Sequence, residues 1–253
     1  MDARELVAAI AEFEAARQRG EYFPKAWEGR LSLDEAYLIQ LALIRRRGVR
    51  RIGWKVGLTS AAIQQQFRVH EPVFGCLLAD GRLDSGRVFR RGELIEPGFE
   101  NELCLVMGRD LLPGATRETI AASIARIHPA FEIIETRGDL TRQLALALAD
   151  NAQQKAFVLG PPIEHRAIPE LDRVVVSVRI NGVAVATADG SAVLGHPYNS
   201  LAWLAQKLAQ FGEGVRAGDY IMSGSFTRQF PLKPGDRIEA AFAGIGDVTA
   251  SVV

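Results

Sequence analysis

From Leu6 to Arg17 apolar and alanine positions recur at three- and four-residue steps, which predicts an amphipathic helix. A second helix is predicted from Ser32 or Asp34 to about Arg47, where Ser32 and Glu35 have the spacing of a capping box. Between Gly48 and Thr59 the pattern changes. β-branched and aromatic residues are separated by glycines, as in a strand that bends or lets a ligand approach. Ala61 to Phe67 fits a helical turn, which His70-Glu71-Pro72 breaks before the apolar run Val73 to Leu78.

Further strand-like runs cover Glu100 to Met107, Ala130 to Glu135, Ala156 to Leu159, Tyr220 to Ser223 and Arg237 to Phe242. Val174 to Ile180 and Val183 to Thr187 flank Asn181-Gly182, both of which tolerate positive φ, so a type I′ hairpin is predicted there. Helices are predicted at Arg117 to Arg126 and at Asn199 to Phe211, the latter capped by Asn199 or Ser200. The class is α+β. Residues 1–50 read as a helical lead-in to one β-rich domain over residues 51–253, without internal repeat or long linker.

With 253 residues, 48% of them hydrophobic, the chain can bury a core without disulfide or metal staples. Lys plus Arg and Asp plus Glu number 30 each, so no net field draws the chain to nucleic acid or an anionic membrane. A small-molecule partner is favoured. Cys76 and Cys104 each lie in an apolar segment, which suits reduced thiols better than a secreted scaffold. There is no apolar run of about 18 residues, so no membrane span is expected and the chain reads as cytoplasmic. Neither a Gly-x-Ser-x-Gly elbow nor a phosphate-binding Gly-x-x-x-x-Gly-Lys-[Ser/Thr] loop occurs.

In Phe99-Glu100-Asn101-Glu102-Leu103 the two-residue period of a strand puts Glu100 and Glu102 on one face. Two carboxylates so placed repel unless a cation lies between them, and oxygen donors suit Mg²⁺, Mn²⁺ or Ca²⁺. The same pattern also fits a solvated strand end. Glu132 interrupts the apolar run Pro129 to Ile134, where an unpaired carboxylate seldom sits, and offers a third ligand. Lys55, between Trp54 and Val56, fits an acid, base or anion clamp whose pKa burial would push down, or a lysine snorkelling from a strand end.

His70-Glu71 would form an acid-base pair on a closing loop, or belong to an ordinary surface loop. Ser223-Gly224-Ser225 can offer hydroxyls and backbone N–H groups to a carboxylate, though such composition also makes simple turns. His128 and His196 each precede a proline and read as turn chemistry.

Taken in order, six segments resemble the fumarylacetoacetate hydrolase superfamily. They are Gly53-Trp54-Lys55-Val56-Gly57-Leu58-Thr59-Ser60, Glu71-Pro72-Val73-Phe74-Gly75, Glu100-Asn101-Glu102, Pro129-Ala130-Phe131-Glu132, Asp150-Asn151-Ala152 with Phe157-Val158-Leu159-Gly160, and Ser223-Gly224-Ser225. Within the superfamily they resemble the 2-oxopent-4-enoate (2-keto-4-pentenoate) hydratase and 4-oxalocrotonate decarboxylase branch. The resemblance runs through nearly the whole chain.

It implies a β-rich fumarylacetoacetase C-terminal-like fold, a mixed β-roll or barrel with an N-terminal helical segment. It also implies Mg²⁺ or Mn²⁺ on Glu100, Glu102 and Glu132, Lys55 beside the substrate, and Asn151 with Ser223, Gly224 and Ser225 at substrate-binding positions. The expected partner is a small 2-oxo or 2-hydroxydienoic acid from aromatic catabolism, and the expected assembly a homo-oligomer. Asn101 stands where the family usually has proline, and Gly98-Phe99 replaces its more usual lead, which leaves the subfamily open. The reactions in view are hydration of a 2-hydroxypenta-2,4-dienoate, 4-oxalocrotonate-type decarboxylation, acylpyruvate-type C–C hydrolysis with His70-Glu71 activating water, and a non-catalytic family member.

Overall fold

In a computed structural model, which describes residues 1–168 and 170–253, the two leading helices form where the pattern predicts them. Helix α1 (Ala3–Gln18) starts at a capping box of Asp2 and Glu5, and α2 (Leu33–Arg46) at the one formed by Ser32 and Glu35. Strand β1 (Arg51–Gly57), helix α3 (Ala61–Phe67) and strands β2 (Val73–Leu78), β3 (Arg82–Asp84), β4 (Arg87–Phe89) and β5 (Pro97–Met107) follow. Helix α4 (Arg117–Ser123) leads into β6 (Ile124–Glu135), and α5 (Leu144–Ala149) into β7 (Gln154–Leu159) and β8 (Ile163–Glu164). The chain ends with β9 (Val175–Ile180), β10 (Val183–Asp189), α6 (Pro197–Ala209), β11 (Tyr220–Ser225), β12 (Phe230–Pro231), β13 (Arg237–Phe242) and β14 (Gly246–Val252).

The strands make two mixed sheets and no closed barrel among the described residues. The larger runs β2-β1-β11-β5-β6-β7-β3, with β12 on β5 and β8 on β6; the smaller runs β10-β9-β13-β14-β4. The larger sheet rolls until β2 packs against β7, and one side chain bridges the gap. The Asn151 amide accepts from the Cys76 N–H at 2.7 Å and donates to the Cys76 carbonyl at 3.0 Å, as a neighbouring strand would. Helices α1 and α2 belong to the same apolar cluster as the sheets. Buried Gln40 of α2 donates to the Leu148 carbonyl of α5 at 2.6 Å, which ties the leading helices to the roll.

Two boundaries differ from the pattern. The helix expected to reach Arg126 stops at Ser123, because Ile124 to Glu135 pairs with β5 along its whole length, and that long-range ladder overrides local helical spacing. Helix α6 starts at Pro197 rather than after Asn199, because the His196 ring is the cap: its Nδ1 accepts from the Tyr198 N–H at 3.0 Å. Strand β14 and helix α5 were not anticipated; Leu144–Ala149 is leucine and alanine throughout, with no polar face to set a period. The Asn181-Gly182 turn forms as expected, with φ of 53° and 80°.

Candidate metal centre

Glu100 and Glu102 leave β5 on one face, and Glu132 of β6 lies directly opposite Glu100 in the antiparallel register. One oxygen from each of the three carboxylates lies within 4.8 Å of the others. Glu102 and Glu132 are fully buried and Glu100 is half-buried. Glu102 Oε1 and both oxygens of Glu132 have no hydrogen-bond partner. Buried carboxylate oxygens without donors are costly, and a hard dication is what three such oxygens satisfy best. The residues therefore fit a divalent cation with oxygen ligands.

Two neighbouring strands complete the frame. Strand β11 lies between β1 and β5, and its register against β5 shifts between Met222 and Ser225, a bulge that turns the Gly224 N–H onto Glu102 Oε2 at 2.8 Å. Gly224 has φ of 114°, and a Cβ there would lie 2.5 Å from Thr59 Cγ2, so only glycine fits. Lys55 of β1 reaches Glu132 Oε1 at 3.3 Å, an ion pair without hydrogen-bond geometry. Its stem crosses Gly75 of β2, where a Cβ would stand 3.2 Å from Lys55 Cε.

On the same strand faces a small, separate apolar cluster formed by Leu77, Cys104, Ala130, Phe157, Leu159 and Met222 floors the charged group. Cys104 is two residues on from Glu102, Ala130 two before Glu132, and Met222 pairs with Lys55. The charges thus sit above a dry floor.

Burial raises the pKa of Glu102 well above the ordinary range, with Glu132 and Glu100 adding to it against the Gly224 N–H and Lys55. Glu100 is pushed up to about 7 by burial and by Glu132, with Lys55 opposing. Burial also raises Glu132, and Lys55 opposes it. For Lys55 the outcome reverses the expectation of a lowered pKa. Burial works against its ammonium, but Glu132, Glu100 and Glu102 outweigh burial and hold the pKa above its ordinary value. Lys55 is an ammonium that balances part of the negative charge.

The other expected site residues fall into different places. Ser223 is fully buried and its Oγ has no partner, while Ser225 Oγ donates to the Asn101 carbonyl at 3.5 Å. Asn151 has both ends of its amide engaged by the Cys76 backbone. His70 is exposed in the loop before β2. Glu71 accepts from Trp203 Nε1 at 3.2 Å and from Lys207 Nζ at 2.9 Å, both on α6. Its carboxylate joins the strand β2 entry to that helix.

Residues 64–253 match the fumarylacetoacetate (FAA) hydrolase C-terminal family. The chain belongs to this family. Among fumarylacetoacetate hydrolase relatives, it is 35% identical over 223 residues to a 2-hydroxyhexa-2,4-dienoate hydratase of Comamonas testosteroni, covering 85% of this chain and 84% of the relative. It is 33% identical over 258 residues to a 4-oxalocrotonate decarboxylase of Pseudomonas putida, covering 99% of this chain and 98% of the relative. The structure of a 4-oxalocrotonate decarboxylase from Pseudomonas putida G7, complexed with magnesium and adipate, superposes with a TM-score of 0.92 at 30% identity, covering 100% of this chain and 99% of that one.

Three residues of the family-like segments shape the site in ways that those segments do not reveal. Thr59 closes on Gly224, Gly75 leaves room for the Lys55 stem, and Asn101, on the strand face opposite the glutamates, donates from Nδ2 to Thr227 Oγ1 at 2.5 Å. Asn101 also offers its carbonyl to the Phe226 N–H at 3.0 Å, so it anchors the turn after the β11 bulge. Its position in the fumarylacetoacetate hydrolase motif was visible. Its partner, 126 residues away, was not.

Proposed function

We propose that this chain is a metal-dependent lyase that adds water to a 2-hydroxypenta-2,4-dienoate-type acid, giving a 4-hydroxy-2-oxo acid. The single observation that carries the reading is the trio of buried carboxylates with partnerless oxygens beside a charged lysine, in a chain 35% identical to a hydratase of a 2-hydroxydienoate. Glu100, Glu102 and Glu132 would hold Mg²⁺ or Mn²⁺, and the ion when bound supplies Lewis-acid stabilisation of charge on the substrate's 2-oxygen.

The chain's own groups account for the rest. Lys55 keeps its proton at Nζ and neutralises carboxylate charge, its own partners' and then the substrate's. The Ser223 hydroxyl, Ser225 and the neighbouring backbone are suited to orient a substrate carboxylate. The apolar floor excludes bulk water from one side. In the reaction a proton reaches the terminal diene carbon as the enol becomes the 2-oxo group; water then adds at C4, its oxygen bonding there and a proton going to C3. No step is assigned to His70 and Glu71, because the Glu71 carboxylate is already taken up by Trp203 and Lys207. C–C hydrolysis thus loses its water-activating pair, and Asn151 acts on the substrate only through the backbone it holds.

A specific observation favours a second reading. The 4-oxalocrotonate decarboxylase structure superposes over 100% of this chain with a TM-score of 0.92, and the ion when bound would supply the same Lewis-acid stabilisation to the charge left by loss of CO₂. Purified protein with Mg²⁺ or Mn²⁺ is tested on 2-hydroxypenta-2,4-dienoate and 4-oxalocrotonate. Loss of diene absorbance without CO₂ supports hydration, CO₂ release supports decarboxylation, and inactivity on both removes the assignment. The free, buried Cys76 and Cys104 suit a reducing cytoplasm. A homo-oligomer is the proposed assembly, with Val175, Val183 and Val185 exposed along the β9–β10 edge of the smaller sheet as the apolar surface available to a second copy. Sedimentation as a monomer at micromolar concentration would remove that part.

A further inference from the structure

A cavity of about 370 Å³ lies between the leading helices and the edge of the roll, and none of the three glutamates nor Lys55 lines it. Arg17, Arg47, Arg87, Arg137 and Lys155 face it against the carboxylates of Asp80, Glu93 and Glu135. The cations are not equivalent. Arg137 is spent: it donates to Glu135 at 3.0 Å and to Asp150, with 2% of its side chain exposed. Lys155 pairs with Glu135 at 3.3 Å. Arg17 meets Asp150 only at 3.8 Å, with 43% of its side chain exposed. Arg47 and Arg87 are exposed and form no ion pair among the described residues, and the Arg87 guanidinium lies 5.7 Å from the centre of the Phe89 ring.

Guanidinium groups without an ion pair suit a planar oxyanion, since the guanidinium fork matches two oxygens at once. Leu78, Phe89 and Leu94, each at 6% exposure or less, form an apolar part of the lining beside these charged groups. A cavity of this size falls in the range that holds small organic ligands.

We propose that this cavity is a binding site for a small carboxylic acid with an apolar body, its carboxylate on Arg47 and Arg87 and its body on the Leu78–Phe89–Leu94 wall. The site is independent of the metal centre. Phosphate offers the same oxyanion head without the body, which separates the two halves of the claim.

Calorimetric titration of the full chain with benzoate, with Mg²⁺ and again with EDTA, tests it. Saturable one-to-one binding is expected in both, weakened about tenfold or more by Arg47→Gln and by Arg87→Gln, as loss of a charged hydrogen bond implies. Arg237→Gln, which removes the same charge from the smaller sheet, should leave it unchanged, and inorganic phosphate should bind more weakly than benzoate. Glu102→Gln should retain it even if the metal centre fails. Binding that disappears in EDTA belongs to the metal centre and overturns the proposal, as does equal binding by all three arginine variants or no saturation at all. Phosphate binding as tight as benzoate would overturn the apolar half.

Discussion

Replacing Glu102 by glutamine keeps its shape and its acceptor for the Gly224 N–H while removing the charge that faces Glu100 and Glu132. If the three carboxylates hold a dication, Glu102→Gln should weaken Mg²⁺ or Mn²⁺ binding by more than the ~10–100-fold that outer-sphere partners are worth. Calorimetric titration reads this directly, and unchanged affinity would remove Glu102 from the ligand set. Lys55→Met asks a different question of the same cluster. Among the described residues the ammonium is the one cation paired with Glu132, at 3.3 Å, and it donates no ligand to a metal. Turnover is therefore expected to fall by about 10²–10³, the range for loss of one preorganised electrostatic group, with metal still bound. A variant with wild-type turnover would take Lys55 out of the chemistry.

Among the elements, the segment between α5 and β7 carries a burden that its sequence conceals. Asn151, Ala152 and Gln153 all take left-handed φ, of 59°, 48° and 61°, and none is glycine. The run is held because the Asn151 amide substitutes for a strand against Cys76, 75 residues earlier. Asn151→Ala would strand a buried N–H and a buried carbonyl and place alanine where asparagine is better tolerated. A loss of about 2–5 kcal/mol is expected from two unsatisfied groups, read from the urea midpoint, and a loss under 1 kcal/mol would refute the bridging role. This contrast explains what a sequence reader can recover. The Ser32–Glu35 cap and the Asn181-Gly182 turn involve residues at most three apart, and both were legible. The Glu100, Glu102 and Glu132 trio was largely legible: strand alternation pairs the first two and an interrupted apolar run marks Glu132, while the cross-strand register that sets Glu132 opposite Glu100 came only from the fold. The start of β6, the roll closed by Asn151 and the Asn101–Thr227 anchor depend on partners tens of residues away, which no local period encodes.

At the scale of the whole molecule, three of the four histidines are held neutral by the fold. Burial lowers each of them first. For His128 it outweighs the bond to the Gly160 carbonyl at 2.7 Å, with Arg126 and Arg82 helping. For His165 it outweighs a backbone contact with Ala121, beside the Tyr198 hydroxyl at 2.5 Å. For His196 burial is joined by Arg117 and His165 against Asp172. The native state thus binds fewer protons than the unfolded chain once pH falls below 6.5, the unperturbed value, so stability rises with pH in that window and is lost on acidification. Each proton withheld contributes a slope of up to about 1.4 kcal/mol per pH unit. His196 adds a structural reason, since its Nδ1 must stay unprotonated to accept the Tyr198 N–H and cap α6, the helix whose Trp203 and Lys207 hold Glu71. His196→Asn keeps a capping acceptor and cannot titrate. Thermal midpoints of the two proteins should be close at pH 7.5 and diverge toward pH 5, with the variant losing less; parallel profiles would show that the acid sensitivity does not pass through this cap.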